Sequence, residues 1–156
     1  ASLSAACKLS SYDAYFRSPN MKAVHPVEPG PNHNTLFNIR LMITRMVRFL
    51  SEYGPVIESG FTMEGGYTDI VSSGDGDFLT EDTLWDVKTS KFPPKSSDTL
   101  QVLMYYIMGK HSWNDCFQTI QNIGIMNPRL NQIWLLNTNM IPAAVIQNVK
   151  KDVIGY

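Results

Sequence analysis

LWDVKTSK, residues 84–91, decides how the rest of the chain is read. Its first five positions are rich in apolar and β-favouring types, which predicts a strand over Leu84–Thr89. Asp86 and Lys88 are two apart on that strand, so their side chains leave one face while Val87 points to the other. Upstream, GYTDIVSS predicts a strand at Tyr67–Ser72, and VIESGFTM another at Val56–Met63. If the three pair as a meander, Asp69 can bring a second carboxylate to the point where Asp86 and Lys88 emerge. SSGDGDFLTED, between the second and third runs, reads as turn-rich, with Asp75-Gly76-Asp77 in a polar hairpin turn; the remaining ligand spacing of a calcium loop is absent.

Working outward, Thr35 to Tyr53 carries Leu36, Ile39, Ile43, Met46, Val47 and Leu50 at helical spacing. Asn34 is the expected cap and Gly54-Pro55 the stop. After SKFPPKSSD, Ser97 or Asp98 is expected to open a helix that runs to about Gly109. Ile123–Met126 and Ile133–Leu136 flank NPRLNQ as a strand pair, and Pro142 opens a last amphipathic helix. The expected order is helix, three strands, helix, two strands, helix. Residues 1–33, with four prolines and a glycine between positions 18 and 34, are expected to form an irregular N-terminal appendage to a single domain spanning 1–156.

Composition narrows the function classes. With 13 Lys+Arg against 14 Asp+Glu the formal charge is −1, so overall basicity does not itself suggest a nucleic-acid partner. Cys7 and Cys116 form no CxxC pair and no dense framework, which points away from a zinc site and towards a reduced, intracellular, cytoplasmic setting. No run approaches the ~20 apolar residues of a membrane span. The chain begins on Ala1 rather than Met, in keeping with a piece of a larger protein or complex.

Two carboxylates and water suit Mg²⁺ or Mn²⁺, which take oxygen ligands, and a lysine beside them can offset charge that develops on a phosphate. The competing reading of Asp86 and Lys88 is a weak surface pair on an edge strand. Gly66-Tyr67-Thr68-Asp69 reads GxxD, Asp86-Val87-Lys88 reads DxK and Gln101 to Tyr105 reads QxxxY. In this order and spacing the three motifs resemble the RecB-type branch of the PD-(D/E)XK nucleases, over roughly Gly30 to Leu136. The resemblance implies an α/β fold with a restriction-endonuclease-like core, a mixed central sheet flanked by helices. It implies a metal-dependent nuclease acting on DNA, an exonuclease in preference to an endonuclease. It further implies Asp69, Asp86 and the Val87 carbonyl as metal ligands, Lys88 as the catalytic lysine, and Gln101 and Tyr105 as support for the site and the nucleic-acid backbone. Branch members often add a histidine after a glycine near the start of the first helix, and His33 in Gly30-Pro31-Asn32-His33 is similar to that arrangement, which implies it as a further residue of the metal site.

Lys91 and Lys95 follow the site and can contact phosphates; as loop solubilisers they need no such role. Glu52, Glu58 and Glu64 are within sequence reach of the metal and read more simply as surface glutamates. Two alternatives to a DNA nuclease stay open: a non-cleaving nucleic-acid-binding or structural module that retains the fold, and an RNA-directed endonuclease with similar metal chemistry.

Overall fold

The computed structural model describes residues 2–17 and 30–156, without the side chains of residues 11 and 13–17. The chain divides into two compact units, Ala1–Thr44 and Arg45–Tyr156. In the first unit, Leu3–Arg17 forms a helix, α1, rather than an irregular segment. Ser2 Oγ accepts from the Ala5 amide at 3.3 Å, a cap that the proline-rich stretch downstream obscured. The irregular path expected for residues 18–29 lies outside the described residues. Helix α2 spans His33–Tyr53 and starts earlier than expected, because Asn32 and not Asn34 caps it: Asn32 Oδ1 accepts from Thr35 N at 2.9 Å.

The second unit is an α/β layer built on a five-stranded mixed sheet in the order β1-β2-β3-β4-β5. The strands are β1 (Glu58–Ser59), β2 (Phe78–Leu79), β3 (Thr83–Val87), β4 (Asn122–Asn127) and β5 (Gln132–Asn137). β3 and β4 are parallel and the other neighbours antiparallel. A parallel pair needs a long crossover, and α3 (Ser96–His111) provides it. Asp98 Oδ2 accepts from Lys95 N at 2.8 Å and fixes the start of that helix. Lys110 in its last turn complements the helix dipole.

The meander forms with a different middle strand. Tyr67–Ser72 is not in the sheet, and the partner of both β1 and β3 is Phe78–Leu79, from the stretch read as a turn. Two local causes compete with a strand at 67–72. Thr68 Oγ1 accepts from Ile70 N and Val71 N and donates to Ile154 O, while Thr68 N bonds Val71 O. Tyr67 Oη donates to Gly74 O at 2.6 Å and accepts from Met63 N at 3.0 Å, which closes residues 63–74 into a compact loop. Phe78 and Leu79 are both buried and return through a tight turn closed by Thr80 N to Thr83 O. Val56–Met63 likewise contributes only Glu58–Ser59 and an isolated bridge between Thr62 and Asp75.

Alternation along β3 gives the sheet two different faces. Leu84 joins Leu79, Ile123, Ile125 and the α3 residues Val102, Leu103 and Ile107 in one core. Trp85 packs on the opposite face with Phe49, Phe78 and Met126, its ring 4.8 Å from that of Phe49 in an edge-on contact. Gly124 lies beside Trp85 in the parallel register, and a Cβ there would stand 2.3 Å from the indole. Asp86 therefore emerges on the side of α3, which is where the fold places the candidate site. The last helix, α4 (Ala143–Asn148), opens after Pro142 and continues as a π-helix over Val149–Ile154. Among the described residues no helix is long and apolar enough to cross a membrane.

Candidate active site

Asp86 is only 5% exposed, an unusual place for a carboxylate. Lys88 Nζ lies 3.1 Å from each of its oxygens, donating to Oδ1 and forming an ion pair with Oδ2. Oδ2 has no hydrogen-bond partner of its own among the described residues. Burial pushes the Asp86 carboxyl above its ordinary range; Lys88 opposes that shift, and the negative charges of Asp77 and Asp98 add to it. Lys88 is held from its other side by Gln101 Oε1 at 2.8 Å, and Gln101 Nε2 donates to Tyr105 Oη at 2.9 Å. Gln101 and Tyr105 are one turn apart on α3, so a single helical face aligns both with the lysine. Burial, first of all, raises the Tyr105 phenol, which keeps its proton and leaves the O–H free to donate.

The second carboxylate at this point is not Asp69. That residue sits on an exposed bend outside the sheet, and it is not among the charges acting on Asp86. Asp77 takes the place geometrically. Phe78 pairs with Trp85 and Leu79 with Leu84, so the next pair along that register is Asp77 with Asp86, on the same face. Asp77 Oδ2 accepts from Val87 N at 2.6 Å. N–H and C=O of one strand residue leave by the same edge, so the Val87 carbonyl is directed to the edge on which Asp77 lies. Asp75 is two residues away and acts on the Tyr105 phenol. Gly76 between them is buried, and a Cβ there would meet the Phe61 ring at 2.0 Å, so only glycine lets the two acids flank that point. One signal in the sequence could have found Asp77: an apolar pair directly after an acid, followed by a tight turn and β3.

The other expected residues are placed as follows. His33 is the first residue of α2, inside the helix rather than before it, and exposed in the first unit. Lys91 is exposed with its Nζ 5.1 Å from the centroid of the Phe92 ring. Glu58 accepts from Asn114 Nδ2 at 2.9 Å and from Cys116 Sγ at 3.0 Å. Burial and that carboxylate push the Cys116 thiol up to about 12, which keeps it from serving as a nucleophile. Glu52 and Glu64 are exposed.

No family model, no curated protein and no solved structure matches the chain. No cluster of three or more His, Cys, Asp or Glu side chains that could hold a metal occurs among the described residues. The set that is present, Asp86, Asp77 and the Val87 carbonyl, is all oxygen and fits a hard divalent ion that keeps several waters. Asp86 Oδ2, buried and without a hydrogen bond, has the Lys88 ammonium 3.1 Å away as its ion-pair partner and keeps lone pairs to offer such an ion. An apolar cavity of about 360 Å³ between α3, β4, β5 and α4 is lined by Leu100, Ile123, Trp134 and Val145 among others. It contains no ionisable side chain and lies apart from this chemistry.

Proposed function

We propose that the chain is a Mg²⁺- or Mn²⁺-dependent nuclease that hydrolyses phosphodiester bonds in DNA, with a restriction-endonuclease-like core. The observation that carries the reading is the continuous chain from buried Asp86 through Lys88 and Gln101 to Tyr105. A surface ion pair would not need a buried carboxylate, a helix-borne amide to aim the lysine and a neutral phenol behind it. Asp86, Asp77 and the Val87 carbonyl are the residues that would hold the cation. A cation held there supplies a Lewis acid for the scissile phosphate and lowers the pKa of an attacking water. Lys88 places a positive charge where negative charge grows on the phosphate, and Gln101 fixes its orientation before the reaction begins. Tyr105 keeps its proton and can donate to a phosphate oxygen.

The order of helix, antiparallel meander, crossover helix and parallel strand supports the core assignment, and the QxxxY pair on α3 favours DNA ends. The test is cleavage of labelled linear and circular DNA, and of RNA, in Mg²⁺, Mn²⁺, Ca²⁺ or EDTA. DNA cleavage that needs Mg²⁺ or Mn²⁺, and that falls about 10²–10³-fold in Lys88→Ala, is expected. Binding without any metal-dependent cutting would establish a non-cleaving module instead, and cutting confined to RNA would move the substrate class.

A further inference from the structure

TSKFPPK, residues 89–95, joins β3 to α3 and is fixed at both ends to elements of the site. It is also fixed within. The Ser90 carbonyl accepts from Nδ2 of Asn127, a side chain that is 1% exposed, and Phe92 N donates to Ser90 Oγ at 3.0 Å. Pro93 confines Phe92 to extended backbone. On this anchored segment Phe92 nonetheless exposes 56% of its surface. A single exposed apolar residue is ordinary, and it is the placement that distinguishes this one. Phe92 is four residues beyond Lys88, a reach of at most ~14 Å of extended chain. Lys91 stands against its ring, and Lys95 follows at the head of α3.

We infer that Phe92 is a stacking platform for an unpaired base, so the nucleic acid reaches the site as a single strand or as a duplex end whose last base is unpaired. What is cut rests on the nuclease reading; the stacking does not. An aromatic ring beside cationic side chains is the arrangement that binds single strands without sequence preference, because every base has a π-face and the lysines meet the phosphates. Within a duplex the stacked pairs offer only base edges in the grooves, and only a terminal pair has a free face. Because the loop is held before any ligand arrives, little ordering entropy is lost on stacking.

The test compares wild type, Phe92→Ala and Phe92→Trp by fluorescence anisotropy with a short labelled single strand, the same strand made abasic, and a labelled, relaxed, covalently closed circular duplex. Ca²⁺ replaces Mg²⁺ so that binding is read without turnover. Phe92→Ala should weaken the normal strand about tenfold, Phe92→Trp should retain it, and the abasic strand and the closed circular duplex should be bound equally by wild type and Phe92→Ala. Equal affinity of wild type and Phe92→Ala for the normal strand, a matching loss on the abasic strand, or no single-strand binding by wild type overturns the stacking. Absence of Mg²⁺-dependent cutting removes the nuclease reading, and the same binding comparison still decides Phe92.

Discussion

Asp77→Ala and Asp69→Ala separate two ways of completing the site. Asp77 faces Asp86 across the β2–β3 register, whereas Asp69 sits on an exposed bend. Asp77→Ala is expected to lose Mn²⁺ binding by calorimetry and about 10²-fold or more of the cleavage rate; Asp69→Ala should keep both. The reverse pattern would return the second ligand to the GxxD motif. Asp86→Asn probes the buried charge itself. The Asp86 carboxyl is raised in the folded state, chiefly by burial, so its contribution to stability is present below the ordinary carboxylate range and is lost as pH rises through the raised value. Asparagine keeps the shape without the titration. Measured in EDTA, the Tm of Asp86→Asn minus that of wild type should therefore become more positive between about pH 4 and about pH 7. A difference that stays constant over that range would mean that Lys88 fully compensates the burial.

At the scale of elements, periodicity was a good guide where one side chain type dominated a face. Helix α3 and the strands β4 and β5 were legible because runs such as LQVLMYYIM and IGIM leave few other ways to bury apolar surface. The centre of the meander differs from the strand that the sequence predicts. Tyr67–Ser72 has β-favouring residues, yet the Thr68 hydroxyl satisfies Ile70 N and Val71 N locally, and those amides are then lost to a ladder. Phe78–Leu79 is too short to announce itself, and it is a strand because its backbone finds β1 on one side and β3 on the other. The β3–β4 contact yields a direct test. Gly124→Ala would drive a methyl into the Trp85 ring and should cost about 1–3 kcal/mol in urea unfolding. An unchanged midpoint would show that Trp85 moves freely on that face.

For the whole molecule, cation binding and folding are linked, because a site that takes shape from β2, β3 and α3 exists only in the folded chain. Mn²⁺ should raise the Tm of wild type with the logarithm of its free concentration above Kd, by about 2.7 kcal/mol of stability at a hundredfold excess over Kd, and leave Asp86→Asn unmoved. A rise of equal size in both would place the ion elsewhere. A formal charge of −1 also means that any hold on nucleic acid is local, through residues such as Lys88, Lys91 and Lys95. The sequence by itself determined the side-by-side exit of Asp86 and Lys88, since alternation on a strand is a property of the backbone. It determined the shared face of Gln101 and Tyr105 for the same reason, through the helical repeat. Which acid joins Asp86 was decided only by tertiary structure: strand pairing is a contest between distant backbone groups for partners, and no local pattern records that residues 78–79 win it over 67–72.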